Sequence, residues 1–439
     1  MTNTSSFPFT VTEHIIDGQY IREYPRATVS QGACLKLAVK KYVPTDNPNP
    51  QPGDVTIIGA PGGGFPKNAK ELYEPLWEDL FVQCKKSGIK IGSIWTADAA
   101  NLGASGVVNE ELLGNDPSWL DHSRDLLYMI NQFRDEMPRP IIGVGHSMGA
   151  GQLVLLSLMH PRLFTSLALV EPVIVPDTFS GYGPLLSKLS LRRRDSWSSR
   201  SVAIEAARKS HKKWDERVFK LWALHGYRRL PTALYPQNAE SGTLVTDDGP
   251  VTLTSTKHQE VMQYVRSNFG GHKPVGQEDS LSGPAYDPLF QADVIGPPLR
   301  TAPFYRSEPV IAWKLLDHVR PSVLYIFGGT SPMSTHKLCA EIIQRTGAGI
   351  GGSGGVKSGQ VKEERIEGFG HQLPLEEVAR TALALGVWID SVVHKWHADE
   401  IRIAKDWADL PAKDRLRVSE EWMPGLDLAC KLYEQKSKL

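Results

Sequence analysis

The sequence predicts an α/β protein whose mostly parallel sheet is interrupted by a long helical insertion. Short apolar runs alternate with amphipathic helical segments over residues 1–173, which is typical of βαβ units. The alternation stops over residues 174–318, where helical segments and loops rich in Pro and Gly dominate, and it resumes over residues 319–439. We therefore expect one core domain built from the two outer segments, with the middle segment as a mainly helical cap.

The elements of the first core segment follow from local patterns. HIIDGQYIREYP and LKLAVKKYVP are rich in β-branched and aromatic residues between turn residues, so they predict strands. DVTIIGAP and IKIGSIW predict buried strands, with a helix over residues 68–86 between them. The next stretch, DPSWLDHSRDLLYMINQFRDEM, predicts a helix that opens with an Asp cap and a proline at its first position. After this helix the sequence predicts the strand PIIGVGHS, the helix AGQLVLLSLMHP and the strand SLALVEPV.

The cap and the second core segment are interpreted in the same way. After the cap, the sequence predicts a strand at SVLYIFGG, a helix over residues 334–346, a strand at QVKEERIEGFG and a helix near residues 375–397. An insertion after the carboxyl end of a strand covers the sheet edge where ligands bind, so we expect the cap to cover an active site. The predicted cap helices include LLSKLSLRRRDSW, SRSVAIEAARKSHKKW and ERVFKLWALHGY.

The composition argues against several kinds of partner. Lysine plus arginine and aspartate plus glutamate number 49 each, so a formal net charge of zero gives no electrostatic reason to expect nucleic acid or an anionic membrane. The four cysteines form no CxxC pair, and neither a zinc site nor a disulfide framework is expected. GAGIGGSGGVKSG lacks the GK[ST] of a phosphate-binding loop. No apolar run is long enough for a transmembrane helix. We also expect no metal or cofactor.

The two ends of the sequence bear on localisation. MTNTSSFPFTVTEH lacks the basic and apolar regions of a signal peptide. The last three residues, Ser437, Lys438 and Leu439, form the SKL signal that the peroxisomal import receptor reads. We therefore expect import into the peroxisomal matrix, with that receptor as a partner. The sequence leaves open whether the chain is a monomer or a homodimer.

The stretch GVGHSMGAG carries the first candidate catalytic residue. Gly145-His146-Ser147-Met148-Gly149 matches the G-x-S-x-G pattern of a nucleophile on a sharp strand-to-helix turn. The apolar run IIGV precedes it and QLVLLSLM follows it, as that turn requires. The pattern predicts Ser147 as the nucleophile of an α/β-hydrolase fold, against the alternative of a structural turn. A serine there implies acyl transfer from an ester, thioester or amide.

A base and an acid are expected after later strands. His371 lies in the loop GFGHQLP between a predicted strand and a helix, where flanking glycines let the imidazole approach Ser147. The penultimate strand ends in FGGTSPM, which contains no carboxylate. Glu171 follows the strand SLALV instead, where an unpaired carboxylate would be costly, and it keeps the chain order of nucleophile, acid and base. Asp177 is the alternative acid.

The oxyanion hole requires two backbone N–H groups. Met148, immediately after the nucleophile, is expected to supply one of them. The other is expected from the glycine-rich loop after DVTIIGAP, with Gly63 favoured over Gly64. Phe65, the next residue of that loop, is a candidate substrate contact. The alternative is a glycine-rich loop without function.

These residues lie within longer stretches that resemble a fungal family. They include TVTEHIIDGQYIREYPRAT, SIWTADAANLGASGVVNEELLGNDPSWLDHSRDLL, GHSMG, RRRDSWSSR and GFGHQLP. The resemblance covers nearly the whole chain and is to peroxisomal-like α/β-hydrolases of toxin and secondary-metabolite pathways, including the acyl-CoA hydrolase of mycophenolic acid biosynthesis. It implies that Ser147, Glu171 and His371 form a triad. Two departures are an Asp in the mycophenolic member where this chain has Glu171, and a His-containing oxyanion loop in relatives where this chain has PGGG.

The resemblance also implies an acyl-CoA substrate, for which the cap offers candidate contacts. Arg192, Arg193, Arg194 and Arg200 are candidates for binding CoA phosphates, although a solvated helix face is the favoured interpretation. Trp197, with Trp214, Phe219 and Trp222, is a candidate for the wall of an acyl pocket or for the cap core. The leading hypothesis is an acyl-CoA thioesterase that forms an acyl-serine. The alternatives are a carboxylesterase or lipase, an acyltransferase or cyclase, and a binding protein without activity.

Overall fold

The computed structural model describes residues 7–64, 69–178, 182–236, 248–269, 289–293 and 302–436. Phe65 and the terminal Ser437, Lys438 and Leu439 lie outside the described residues. The chain forms two compact units, Met1–Val392 and Val393–Leu439.

The described strands are β1 (Phe9–Asp17), β2 (Lys36–Pro44), β3 (Val55–Ala60), β4 (Ile91–Ala97), β5 (Ile141–His146), β6 (Ser166–Val170), β7 (Ser196–Trp197), β8 (Tyr227–Arg229), β9 (Val251–Leu253), β10 (Arg266–Ser267), β11 (Phe304–Tyr305), β12 (Ser322–Gly328) and β13 (Val361–Ile366). The described α-helices are α1 (Glu74–Lys86), α2 (Gly103–Val108), α3 (Trp119–Gln132), α4 (Met148–Met159), α5 (Gly183–Arg192), α6 (Arg200–Ser210), α7 (Glu216–His225), α8 (Lys257–Tyr264), α9 (Glu308–Leu315), α10 (His336–Arg345), α11 (Leu373–Glu376), α12 (Val378–Ala408), α13 (Ala412–Arg415) and α14 (Trp422–Lys436).

The larger unit is organised around an eight-stranded sheet in the order β1-β2-β4-β3-β5-β6-β12-β13. Strands from β4 to β13 in this order pair in parallel, whereas β2 pairs antiparallel with both β1 and β4. The α/β class with a mostly parallel sheet is therefore confirmed. Every residue of β3, β4, β5 and β6 is buried, which is typical of parallel strands covered by helices on both faces.

The predicted first strand, residues 14–25, is wrong in its second half. β1 ends at Asp17, and the chain then turns to contact α3: the backbone N–H of Gln19 donates to Asp125 over 2.7 Å and that of Glu23 donates to Asp121 over 2.9 Å. These backbone groups therefore bond carboxylates rather than a neighbouring strand. The β-branched and aromatic composition of the stretch favours a strand, but it does not indicate that these carboxylates bind the backbone instead.

The predicted Asp cap of the next helix is also wrong. The cap of α3 is Ser118, whose Oγ accepts a hydrogen bond from the N–H of Leu120 over 3.1 Å. Asp116 instead accepts two hydrogen bonds from the Arg266 guanidinium, at 2.7 and 2.6 Å. Because Arg266 binds the Asp116 carboxylate, Ser118 is the residue that accepts from the free N–H at the start of α3.

The segment between β6 and β12 contains α5, α6 and α7 at the stretches predicted to be helical. It also contains α8, α9 and two small sheets. One has the strand order β7-β9-β8 and the other pairs β10 with β11. The limits of the cap, residues 174 and 318, stay a prediction.

Beyond the larger unit, α12 ends at Ala408 rather than near the predicted residue 397. The smaller unit contains the end of this helix together with α13 and α14. Within the part of the chain that the structure describes, no helix is long and apolar enough to cross a membrane.

We predict that Ser118→Ala lowers the free energy of unfolding by about 1–2 kcal/mol, because it removes the cap of α3. The hydroxyl also donates to the buried Glu308 carboxylate over 3.0 Å. Urea unfolding measures the difference. Ser210→Ala, at an exposed serine of α6, is the matched control and should change the free energy far less. Equal effects of the two substitutions would contradict the assignment of the cap.

Candidate active site

Ser147 occupies a strained turn between β5 and α4. Its φ of 55° and ψ of −117° lie in a region that residues with a side chain seldom adopt. The turn closes tightly: a Cβ on Gly149 would lie 2.2 Å from the carbonyl oxygen of Ala60, and one on Gly145 would lie 2.7 Å from the Cα of Ala150. Both glycines of the G-x-S-x-G pattern are therefore required sterically. Such strain costs on the order of 1–3 kcal/mol, and it is common at functional sites.

The structure brings the three residues of the predicted triad together. Ser147 Oγ lies 2.8 Å from His371 Nε2, and His371 Nδ1 lies 3.1 Å from Glu171 Oε2. His371 is in the loop between β13 and α11, and Glu171 immediately follows β6. If Nδ1 carries the proton and donates to Glu171, Nε2 is left to accept the proton of Ser147. The arrangement can therefore activate a serine for acyl transfer.

Glu171 is a buried carboxylate, only 1% exposed, with a positive φ of 49°. Its Oε1 accepts from the N–H of Gly328 over 2.7 Å, and its Oε2 accepts from the Ser331 hydroxyl as well as facing His371. Burial by itself raises the pKa of Glu171. His371 lowers the pKa of Glu171 through its hydrogen bond and its charge, and the donors Ser331 and Gly328 lower it further. Together they outweigh burial and hold the pKa of Glu171 below its ordinary value of 4.5.

Ser331 is the site residue that the sequence reasoning missed. It belongs to FGGTSPM, the stretch after β12 where many folds of this type carry the acid. Here the Ser331 hydroxyl and the backbone N–H of Gly328, the last residue of β12, donate to the Glu171 carboxylate. Glu171 immediately follows β6, with which β12 pairs in parallel. The missing carboxylate was the available signal, since a buried acid on β6 requires donors from the adjacent loop. The alternative acid, Asp177, is exposed.

The predicted oxyanion residues lie beside the nucleophile. A Cβ on Gly63 would lie 2.4 Å from Met148 Sδ, so the two residues are in close contact. Gly63, Met148 and Ser147 line the same cavity. Gly64 has a φ of 84° and lies against the Tyr264 side chain of α8. The N–H of Gly62 donates to Tyr73 Oη over 2.9 Å, so it is already bonded within the protein.

A cavity of about 340 Å³ opens at Ser147 and His371. Its other walls are mostly apolar and come largely from the segment between β6 and β12. They include Val173, Val175, Leu185, Leu186, Phe304 and Pro309. An apolar cavity that ends at a nucleophile suits a substrate with a bulky acyl group.

The cap residues proposed as substrate contacts do not line this cavity. Arg193 donates two hydrogen bonds of 2.9 Å to the buried Glu260, and Arg194 donates to the Ser196 carbonyl over 2.7 Å. Arg192 is exposed at the end of α5. Arg200 donates to three backbone carbonyls at and after the end of α7. These arginines are occupied within the cap or face solvent, and the structure does not place them at the reaction site.

The cap tryptophans also lie outside the cavity. Trp197 is buried edge-on against Tyr227, with ring centroids 5.4 Å apart, and Trp214, Phe219 and Trp222 are buried with them. Of the two interpretations left open by the sequence, the cap core is therefore the one that the structure supports. Trp214 has one further role, because its Nε1–H donates to Gln372 Oε1 over 2.6 Å, next to His371.

No group of three or more His, Cys, Asp or Glu side chains that could hold a metal occurs among the described residues.

A model of the α/β hydrolase family matches residues 60–384 of the sequence. The chain belongs to this family. The type I acyl-CoA thioesterase mpaH' of Penicillium brevicompactum is 40% identical over 429 residues, 95% of each chain, and a type I acyl-CoA thioesterase mpaH of Penicillium roqueforti is 38% identical over 432. The fold is also similar to the solved structure of Lpx1, a peroxisomal α/β-hydrolase of Saccharomyces cerevisiae. The superposition covers 98% of each chain, with a TM-score of 0.62 and 16% sequence identity. The α/β-hydrolase fold and the resemblance to the fungal family are both confirmed.

We predict that Glu171→Gln lowers kcat/KM by about 10³- to 10⁴-fold, because an amide cannot hold His371 in the required tautomer or stabilise its protonated form. The steady-state rate of hydrolysis measures this. Glu364→Gln, at an exposed position of β13, is the control and should leave the rate unchanged. A loss below about tenfold would contradict Glu171 as the acid.

We predict that Ser331→Ala lowers the stability of the protein by an amount that depends on pH, because it removes a hydrogen-bond donor to Glu171. The depressed pKa of Glu171 contributes stability that is present above pH 4.5, its ordinary pKa, and is lost as the pH falls through the lower folded value. Removing the Ser331 donor reduces that depression. The variant should therefore be less stable at pH 7 and lose less stability on acidification, with kcat lowered about tenfold.

Urea unfolding at pH 7 and pH 4, together with kcat, tests Ser331. The matched control is Ser157→Ala, which removes a buried hydroxyl that donates to the Val154 carbonyl in α4. It should lower stability equally at both pH values and leave kcat intact. The same pH response in both variants would show that Ser331 does not act through Glu171.

Proposed function

We propose that this chain is a serine hydrolase that cleaves an acyl-CoA thioester of a secondary-metabolite intermediate to the free acid and CoA. The observation that carries the proposal is the hydrogen-bonded series Ser147–His371–Glu171 at the end of an apolar cavity. Relatives named as type I acyl-CoA thioesterases, which align over 95% of both chains, support the thioester as substrate.

The reaction follows from the roles of the three residues. Ser147 Oγ attacks the thioester carbonyl carbon while its proton passes to His371 Nε2, and the charge on Glu171 stabilises the imidazolium. The N–H groups of Gly63 and Met148 stabilise the oxyanion that forms. The C–S bond then breaks, the proton on His371 goes to the departing CoA sulfur, and an acyl-serine remains. A water, deprotonated by His371, releases the free acid and restores Ser147.

The cavity indicates the kind of acyl group. A volume of about 340 Å³ lies in the range of pockets that bury most of a drug-sized ligand. Its mostly apolar lining suits a polyketide- or terpenoid-derived acyl chain, whose reacting carbonyl would lie at Ser147. Arg192, Arg193, Arg194 and Arg200 do not line the cavity. Arg306 does line it, but its guanidinium donates to Glu308 and to the Pro117 carbonyl. We therefore expect the acyl group, and not the CoA phosphates, to determine specificity.

We predict that Ser147→Ala abolishes release of free CoA from an accepted acyl-CoA while the protein remains folded. A thiol reagent measures CoA release, and circular dichroism with thermal unfolding checks the fold. Ser157→Ala, at a buried serine of α4, the helix that follows Ser147, is the control and should retain activity. CoA release at the wild-type rate by Ser147→Ala would overturn the proposal.

The same experiment separates the thioesterase from the other acyl-transfer enzymes. Comparing kcat/KM for an acyl-CoA with that for the matching methyl ester should favour the acyl-CoA, whereas a carboxylesterase would favour the ester. Hydrolysis in H₂¹⁸O should place one ¹⁸O in the acid. A product without added water would indicate an acyltransferase or cyclase.

We also propose the peroxisomal matrix as the site of action, on the basis of Ser437, Lys438 and Leu439. The import receptor reads this tripeptide at a free carboxyl end. A fluorescent protein fused before residue 1 should enter peroxisomes, and removal of the three residues should leave it outside. Peroxisomal fluorescence without the tripeptide would contradict this route.

A further inference from the structure

Behind the nucleophile, a buried set of hydrogen bonds joins the oxyanion loop to the loop of the catalytic histidine. The N–H of Gly62 donates to Tyr73 Oη over 2.9 Å. Tyr73 Oη lies 2.6 Å from His146 Nδ1, and His146 Nε2 lies 2.8 Å from the carbonyl oxygen of His371. We infer that Tyr73 and His146 are positioning residues that fix the oxyanion loop and the catalytic base relative to Ser147. This inference rests on the proposed nucleophile.

The direction of each hydrogen bond follows from its end groups. The carbonyl oxygen of His371 can only accept, so His146 Nε2 carries a proton and donates it. In the neutral imidazole, Nδ1 is then the acceptor, and the Tyr73 hydroxyl donates to it. The Tyr73 oxygen in turn accepts from the N–H of Gly62. Burial raises the pKa of Tyr73 well above its ordinary value of 10, which keeps the donating proton in place. Each donor in this series has an acceptor.

The position of His146 explains why this series can affect the reaction. His146 is the x before serine in G-x-S-x-G, the last residue of β5, and is 2% exposed. Its Nδ1 faces the Tyr73 hydroxyl, which holds the N–H of Gly62 beside Gly63, and its Nε2 faces the backbone carbonyl of the catalytic base. Its ring centroid lies 5.5 Å from that of His371. A displacement of either loop would change the distance between the oxyanion N–H groups and His371 Nε2, and errors of about 1 Å can cost about 100-fold in rate.

Tyr73 and His146 do not line the substrate cavity. Their loss should therefore lower kcat and leave KM nearly unchanged. A role in substrate binding would raise KM, and a role confined to stability would lower the amount of folded protein without changing kcat per active site.

The test measures how fast an alkyl fluorophosphonate modifies Ser147. This reaction forms the Oγ–P bond, breaks the P–F bond, passes the serine proton to His371 and releases fluoride. It requires the nucleophile, the base and the oxyanion hole, but no CoA substrate. The second-order rate constant for Tyr73→Phe in the full chain should be about 10- to 100-fold below that of the wild type. The kcat for an acyl-CoA should fall in parallel.

The matched control is Tyr325→Phe. Tyr325 is also fully buried, and its hydroxyl lies 2.8 Å from Thr346 Oγ1, which takes no part in this series. Both substitutions delete one buried tyrosine hydroxyl, so both should lower the melting temperature. Only Tyr73→Phe should slow phosphonylation, and Tyr325→Phe should stay within about twofold of the wild type, since no loop of the site depends on it.

His146 provides a second, graded variant. His146→Gln keeps an amide N–H that can donate to the His371 carbonyl, whereas His146→Leu keeps no polar group. Phosphonylation should therefore be slowest in His146→Leu and partly recovered in His146→Gln.

Three results would overturn the inference. Phosphonylation of Tyr73→Phe within twofold of the wild type is one, and equal slowing by Tyr325→Phe is another. A His146→Leu variant as fast as the wild type is the third. If the wild type itself is not labelled at Ser147, the proposed nucleophile fails, and the inference that depends on it fails with it. The wild-type arm therefore distinguishes the two failures.

Discussion

The buried carboxylate of Glu171 is the interaction on which the rest of the site depends. A carboxylate that is 1% exposed remains ionised only where donors replace the lost water, and here Gly328, Ser331 and His371 supply them. The same carboxylate orients His371, which in turn lies 2.8 Å from the Ser147 hydroxyl. The loop after β12 thus serves the acid on β6, and the loop after β13 connects that acid to the nucleophile. Four parallel neighbours of the sheet, β5, β6, β12 and β13, therefore contribute to one reaction centre.

The segment between β6 and β12 is attached to these same loops. Trp214 Nε1–H donates to Gln372 Oε1, the N–H of Asp215 donates to the Leu375 carbonyl, and Tyr182 Oη donates to the Pro332 carbonyl. The cavity walls and the catalytic loops are consequently held in register by hydrogen bonds. A substrate that fills the apolar cavity would place its carbonyl beside Ser147 and His371, which are already hydrogen bonded to each other. Groups assembled in advance reduce the reorganisation that a reaction requires.

The sequence predicts the fold class, the nucleophile and the base because their signals are local. Ser147 is marked by the small residues around it, and His371 by the glycines that flank it. Glu171 was identified through what FGGTSPM lacks, which is an argument about chain order rather than a motif. Ser331 escaped prediction because a serine hydroxyl identifies no partner until β12 is placed beside β6. The same limit explains the cap of α3, where Arg266, 150 residues away in sequence, takes the carboxylate of Asp116. The cap arginines and Trp197 were uncertain for the same reason, since their neighbours are set by tertiary packing.

The most direct test of the account is to trap the covalent intermediate. The wild-type protein is mixed with an accepted acyl-CoA, quenched in acid within the first turnover, and digested for mass spectrometry. We predict a peptide containing Ser147 whose mass is increased by that of the acyl group minus one hydrogen. A burst of free CoA no larger than the enzyme concentration should accompany it. Continued release of CoA with no acyl adduct on Ser147 at any time of quenching would contradict the central claim that this serine carries the acyl group.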